Sequence, residues 1–321
     1  MKGIRVRRTG PPEVMVLEEI DLPRPGAGQV RVKIEAAGVN PVDTYVRSGS
    51  FGYSPELPYT PGADGAGIVE EAGPGVTKVR TGDRVYAGRC ITGSYAEAGL
   101  FEETQVFPLP EKITFPQGAC IGIPYGTAYR ALFQKARAQA GETVLVHGAS
   151  GGVGLAAVQL ARAAGLIVIG TAGSPEGRRL AEREGARHVL DHRDPGHFDE
   201  VKKLTAGKGA DLIIELLANE NLGRDLKIAA RSGRIVVIGS RGTVEVDPRD
   251  AMQNDVTVMG MVLKNVPLEE FREMHESLGA DFRRGELCPV VGREFPLAEA
   301  PEAHRAVMRS PALGKIILRT H

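Results

Sequence analysis

Between residues 119 and 262 short apolar runs alternate with helix-like stretches, and the first of them passes directly into a glycine turn. Thr143–His147 reads as a strand, Gly148-Ala149-Ser150-Gly151-Gly152-Val153-Gly154 as the turn, and the Ala-rich stretch Leu155–Ala164 as a helix. The rhythm continues through Leu166–Gly170 (strand), Pro175–Glu184 (helix), His188–Leu190 (strand) and Phe198–Thr205 (helix). Leu212–Glu215, Arg234–Ile238 and Val256–Met261 supply further strands. Short apolar strands joined through helices imply parallel crossovers, and so a sheet covered on both faces. The expected fold class is α/β, with a doubly wound parallel sheet that binds a nucleotide.

The flanking segments differ in texture. Residues 1–118 show short alternating runs such as Val30–Ile34 and Gly67–Glu70, separated by Gly/Pro turns, with no sustained helical periodicity; a loop-rich, barrel-like β domain is expected there. Residues 263–321 hold a helical segment, Leu268–Leu278, and a last strand, Lys315–Leu318. They are too short for a core of their own and are expected to pack back on the first domain. The predicted division is therefore 1–118, 119–262 and 263–321.

Composition narrows the function classes. Lys and Arg total 40 against 40 Asp and Glu, which removes a broad basic field for coating nucleic acid. Cys90, Cys120 and Cys288 are odd in number and far apart, with no CxxC pair, so a disulfide-stapled secreted scaffold is excluded and a reducing cytoplasm is the expected compartment. The opening MKGIRVRRTGPP lacks the apolar run of a signal peptide, and Leu155–Ala172 is broken by Gln159 and Arg162, so no membrane anchor is expected.

A glycine turn between strand and helix lets backbone approach a pyrophosphate, with the helix N-terminus supplying free N–H groups and a positive dipole end. The end of the second strand chooses the dinucleotide. An acidic residue there would hold a ribose 2′-hydroxyl, but Gly170-Thr171-Ala172-Gly173-Ser174 has none. Arg178 and Arg179 follow one helical turn later and His192 lies past the third strand, a set that favours a 2′-phosphate and so NADPH. Two arginines on a solvated helix face remain the alternative, and Glu176 beside them weakens the case.

The order of a β domain, a dinucleotide sheet and a short return, with the strings GVNPVD (38–43), PGADGAG (61–67) and GDRV (82–85), resembles the medium-chain dehydrogenase/reductase superfamily. That implies a Rossmann-type sheet and a GroES-like catalytic domain. In the zinc alcohol dehydrogenase branch a Cys, a His and a second Cys hold the catalytic metal. The matching positions here are Asn40, Ala63 and Ile123, none a good zinc ligand, and the four-cysteine structural cluster is missing; no metal is expected. Without a Lewis acid an alkoxide lacks its usual stabiliser, whereas a quinone or enone accepts hydride without one. The chain most resembles the zeta-crystallin type of NADPH:quinone reductase, through GVNPVDTYVRSG, LPYTPG, IGIPYGTAYRAL, VLVHGASGGVGLAA, GTAG, IIELLANENL, VVIGSRG and GKIIL.

The resemblance implies that Ser150, Gly151, Gly152 and Val153 line the pyrophosphate and that Gly173 and His192 lie near the adenosine phosphate. Asn221, the Ile238-Gly239-Ser240-Arg241 turn and Met261-Val262-Leu263 would frame the ribose and nicotinamide, and Tyr45 would reach the cofactor from the first domain. Arg241, at the end of a sheet strand, competes with Arg178 for the 2′-phosphate. For chemistry Asn40 and Tyr45 are the candidates: an amide and a phenol can hydrogen-bond an acceptor oxygen as charge develops, and Tyr45 can deliver a proton. Their structural alternatives are a turn cap before Pro41 and a packed ring. Asp43 reads as a helix-start residue with nothing nearby to raise its pKa, and His147 as a packed histidine. The loop Ser48–Pro61, with Phe51, Tyr53 and Tyr59, reads either as an aromatic cover for a planar acceptor or as a loop pinned by its rings.

The expected activity is a flavin-free NADPH-dependent quinone reductase. A 2-alkenal or enone reductase is the nearest alternative, and AU-rich RNA binding or a structural crystallin role is more remote. Val256–Leu263 reads as an edge strand that would pair with its copy, giving a homodimer or a homotetramer.

Overall fold

A computed structural model describes residues 1–309 and 311–321. The chain forms two compact units. One comprises Met1–Ile123, His275–Arg309 and Gly314–His321; the other is built on Pro124–Met274.

The first unit begins with strands β1 (Lys2–Val6), β2 (Met15–Glu19), β3 (Gln29–Val39), β4 (Asp64–Ala72), β5 (Arg84–Ala87), β6 (Ala98–Glu102) and β7 (Val106–Pro108). Its central hairpin pairs β3 with β4 antiparallel, from Val30 opposite Ala72 to Gly38 opposite Asp64. Along β3 the buried Val30, Val32 and Ile34 alternate with half-buried neighbours, and from Ala36 onward every residue is buried. Alternation gives one core-facing side, and its loss marks where the strand end is covered on both faces. Ile4, Val6, Val69, Val85 and Phe101 complete this core with Val30, Val32 and Ile34.

The N-terminal region also contains a helix, Pro41–Ser48, where no helical periodicity was expected. The reason is chemical: the face it buries is polar, consisting of Asp43, Thr44 and Arg47, so an apolar pattern never appears. Its ends carry local signals instead, with Pro41 at the first position and Gly49 closing it at φ 71°.

The second unit carries β8 (Thr143–Val146), β9 (Ile167–Thr171), β10 (His188–Leu190), β11 (Ala210–Glu215), β12 (Ala229–Val237) and β13 (Thr257–Gly260). All pair in parallel, in the order β10-β9-β8-β11-β12-β13. This is the doubly wound sheet expected, with the order reversing at β8. Leu145, Ile169, Ile213 and Ile235 form its core with Phe198 and Val201 of the helix His197–Leu204. The helices Gly122–Tyr129 and Ala218–Ile228 were not anticipated. In the second, Leu226 and Ile228 are buried, but the polar run Asn219–Asn221 masks the pattern.

The chain then returns to the first unit. β14 (Val291–Pro296) pairs with β15 (Lys315–Arg319), and β15 pairs antiparallel with β3, setting Ile316 opposite Val39 and Gly38 opposite Ile317. The units divide at Ile123/Pro124 and Met274/His275 rather than at 118 and 262. Residues 119–123 belong to the first unit because Ala119, Cys120 and Ile121 are buried there and the Ile123 N–H bonds to Asp64. The helix Leu268–Arg284, longer than the Leu268–Leu278 expected, contains the second division. Among the described residues no helix is long and apolar enough to cross a membrane, and no disulfide joins Cys90, Cys120 and Cys288.

Candidate active site

In the first unit, the end of β3, the start of β4 and the start of β15 converge on a buried polar cluster. Asn40 caps the helix Pro41–Ser48 and is 2% exposed. Its Nδ2 donates to Asp64 Oδ2 at 3.0 Å, and its Oδ1 accepts from Lys315 Nζ. These two opposite partners fix which end of the amide is which. Asp64 Oδ1 accepts the Ile123 N–H at 2.8 Å, and Lys315 Nζ lies 3.7 Å from Asp64 Oδ2. One carboxylate thus ties residues 40 and 123, two of the three positions matched to zinc ligands. Burial pushes the Asp64 carboxyl up and the Lys315 ammonium down, while each charge opposes the other's shift.

This donor set does not fit a zinc ion. Asn40 is engaged at both ends, Ala63 has no side-chain donor, Ile123 offers a backbone N–H, and a buried ammonium stands beside them.

Asp43 bonds the Asn40 N–H at 2.8 Å, as a helix-start residue should, but its surroundings differ from those expected. Burial outweighs the Asn40 N–H and the Lys315 charge and pushes its carboxyl up to about 6. Tyr95 Oη donates to Asp43 Oδ2 at 3.1 Å and lies 3.1 Å from His304 Nε2. Tyr45, two residues on, is half-buried and meets Phe51 edge-on at 4.9 Å. The aromatic loop divides in role. Tyr59 is pinned by reciprocal backbone bonds with Val6, whereas Phe51 is 60% exposed.

In the second unit the glycine turn opens the helix Gly152–Ala163, three residues earlier than the Leu155 start expected. No side chain caps it, so the first amides are left for an anion. Gly154 is required by close packing: a Cβ there would lie 2.2 Å from Gly148 O. Ser150 is buried beside Gly177, whose Cβ would meet Ser150 Oγ at 3.0 Å.

At the end of β9, Ser174 Oγ caps the helix Pro175–Glu184 by accepting the Gly177 N–H. A Cβ at Gly173 would lie 2.5 Å from His192 Nε2, so these two residues are brought together. Arg178 is not free: Nη1 lies 2.7 Å from Asp191 Oδ2, and Arg193 grips the same carboxylate. Hydrogen bonds from Arg193 hold the Asp191 carboxyl well below the usual range. Arg179 pairs with Glu176 on an exposed face. Arg241, by contrast, is exposed with no side-chain ion pair among the described residues, and its backbone N–H is held by Asn219 Oδ1 at 2.8 Å.

The turn after β12 is set by Gly239, whose Cβ would lie 2.5 Å from Leu216 O, and by Ser240 Oγ bonding Gly242 O. Beyond β13, Met261 is buried, Val262 exposed and Leu263 half-buried. Asn221 Nδ2 reaches Glu215 Oε1 at 3.4 Å. Glu215 belongs to a fully buried cluster in which His147 Nε2 is 2.8 Å from Asp225 Oδ1 and 3.7 Å from Glu215 Oε2. The 2.8 Å separation is that of a direct hydrogen bond. Burial pushes Glu215 to about 8 and Asp225 to about 7 and pushes His147 down.

Comparison with known proteins places this arrangement. The GroES-like domain of alcohol dehydrogenases matches residues 26–111, and the zinc-binding dehydrogenase domain matches residues 152–280. The quinone oxidoreductase of Rattus norvegicus is 48% identical over 99% of this chain and 97% of its own length. The chain belongs to the zeta-crystallin-type quinone oxidoreductases of the medium-chain dehydrogenase/reductase superfamily. Within that superfamily, the quinone oxidoreductase of Escherichia coli in complex with NADPH superposes with a TM-score of 0.91 at 29% identity, covering 99% of this chain and 100% of the other. An NAD-dependent alcohol dehydrogenase gives 0.93 at 29% identity, with full coverage of both chains. The family's zinc-type domain match therefore coexists with a site unsuited to zinc.

Asp64, Lys315, Asp191 and Glu215 are among the residues of these sites that were missed from sequence. Asp64 and Lys315 stood in the quoted strings PGADGAG and GKIIL, but nothing in sequence says that strands this distant meet. Asp191 was findable, since it directly follows the third strand, beside His192.

Proposed function

We infer that the chain is an NADPH-dependent quinone reductase that passes reducing equivalents directly to a quinone, without metal or flavin. The carrying observation is the buried Asn40–Asp64–Lys315 cluster, a neutral amide at one of the positions matched to metal ligands with an ammonium and a carboxylate bonded to it. Full-length similarity to quinone oxidoreductases supports the same reading.

NADPH supplies the reducing equivalents when bound. The amides of Gly152 and Val153, with Gly151 and Ser150 lining the turn, would hold its pyrophosphate at the uncapped helix end. Arg241, Arg178, Gly173 and His192 provide the 2′-phosphate site, where no carboxylate ends β9. Asn221, Ile238–Arg241 and Met261–Leu263 frame the ribose and nicotinamide. Asn40 donates to the acceptor oxygen as negative charge builds on it, and Tyr45 delivers the completing proton. The partner is a small planar acceptor. A homodimer, or a homotetramer built from dimers, forms through β13, the sheet-edge strand, where Val258 and the nearby Met252 and Val262 are exposed. A reducing cytoplasm suits three cysteines that form no disulfide with one another.

The test is anaerobic NADPH oxidation by the purified protein with 1,2-naphthoquinone and no added flavin or metal. Turnover is expected; dependence on added flavin or zinc would overturn the reading.

A further inference from the structure

Lys315 is a buried lysine at the start of the last strand, far in sequence from every residue assigned to the reaction. It is 5% exposed. Its Nζ donates to the side-chain oxygen of Asn40 and lies 3.7 Å from Asp64 Oδ2. Taking an ammonium out of water is costly unless its partners are well placed, so its position beside one amide calls for a reason. The cluster is also tight. A Cβ on Gly38 would lie 3.2 Å from Lys315 Cε and 2.2 Å from Ala119 O, so the chain keeps a glycine where the lysine stem passes.

An amide nitrogen carries two hydrogens. Asp64 holds one of those on Asn40 Nδ2, and no bond within the cluster occupies the other. A cation on the amide oxygen draws electron density from the nitrogen and makes that second N–H a stronger donor. Asp64 on one side and Lys315 on the other also prevent the amide from turning over.

We propose that Lys315, with Asp64, is a positioning residue for quinone reduction: it orients and polarises the Asn40 amide so that its second N–H meets the acceptor oxygen as negative charge develops. A fixed ammonium one residue removed from the substrate thereby supplies electrostatic help through an amide. The inference rests on the assignment of Asn40 to the acceptor oxygen.

Lys315→Met alone leaves Asp64 buried and uncompensated, and that variant can fail to fold. The double variant Asp64→Asn/Lys315→Met removes both charges together. Its kcat with 1,2-naphthoquinone is expected to fall about ten- to hundredfold, with KM for NADPH and the thermal midpoint near those of the unmodified protein. The loss should deepen for acceptors that are harder to reduce, because these develop more charge on oxygen before the barrier is crossed. A merely structural role would not produce that dependence. An unchanged kcat in the double variant, beside a reduced one in Asn40→Ala, would overturn the role of Lys315 while keeping that of Asn40. A loss equal for all acceptors would also overturn it. If Asn40→Ala itself leaves kcat unchanged, the assignment of Asn40 falls, and this inference with it.

Discussion

Arg178 reaches across to Asp191, with Nη1 2.7 Å from Oδ2, and Arg193 Nη2 lies 2.9 Å from the same oxygen. Arg178 is therefore partly neutralised at the place where a 2′-phosphate is expected, while Arg241 is not. Arg241→Ala should lower the preference for NADPH over NADH about tenfold, and Arg178→Ala by less. Asp191→Asn, which frees Arg178, should raise the preference. The ratio of kcat/KM for the two cofactors reads all three; an unchanged ratio in both arginine variants would remove the phosphate-site assignment.

Tyr45 packs edge-on against Phe51 through its ring, so its hydroxyl can be removed without disturbing the contact. Tyr45→Phe should lower kcat about ten- to hundredfold with KM for NADPH little changed. An equal loss in both parameters would mean that the hydroxyl serves binding instead.

The donor set around Asn40 does not suit zinc. Elemental analysis should find no stoichiometric zinc, and prolonged dialysis against a chelator should leave kcat with quinone as it was. One zinc per chain would contradict the reading of residues 40, 63 and 123.

Glu215 makes stability depend on pH. Its folded value of about 8 lies above the ordinary 4.5, chiefly through burial. Between those values the native chain keeps a proton that the unfolded chain has lost, so stability falls as pH rises through the window. The slope is up to about 1.4 kcal/mol per pH unit for one group. Asp225, raised to about 7, acts in the same sense lower in the window, and His147, pushed down, acts oppositely below its ordinary value. Above about pH 7 the slope chiefly reports Glu215. Glu215→Gln should flatten the fall of the thermal midpoint between about pH 7 and pH 8; a slope equal to that of the unmodified chain would contradict the assignment.

What the sequence made legible follows from where the information resides. Strand and helix rhythm is local, so β8 to β13 and the helix Pro175–Glu184 could be read directly. The helix Pro41–Ser48 could not, because Asp43, Thr44 and Arg47 form its buried face. Gly173 and His192, far apart in sequence but expected together near the adenosine phosphate, meet in space. Asn40 was named as an isolated amide, yet its chemistry depends on Asp64 and Lys315, at sequence distances of 24 and 275 residues. Such pairings are set by strand order, as β3 receives β4 on one side and β15 on the other. Asp43 shows the same limit: its neighbours in sequence do not raise its pKa, but the fold's burial does.

The reaction class itself is tested most directly by comparing steady-state kcat/KM for 1,2-naphthoquinone and for a simple enone at saturating NADPH. The quinone should be the better substrate by a wide margin. Equal or greater efficiency on the enone would contradict a quinone reductase and make the chain an enone reductase on the same scaffold.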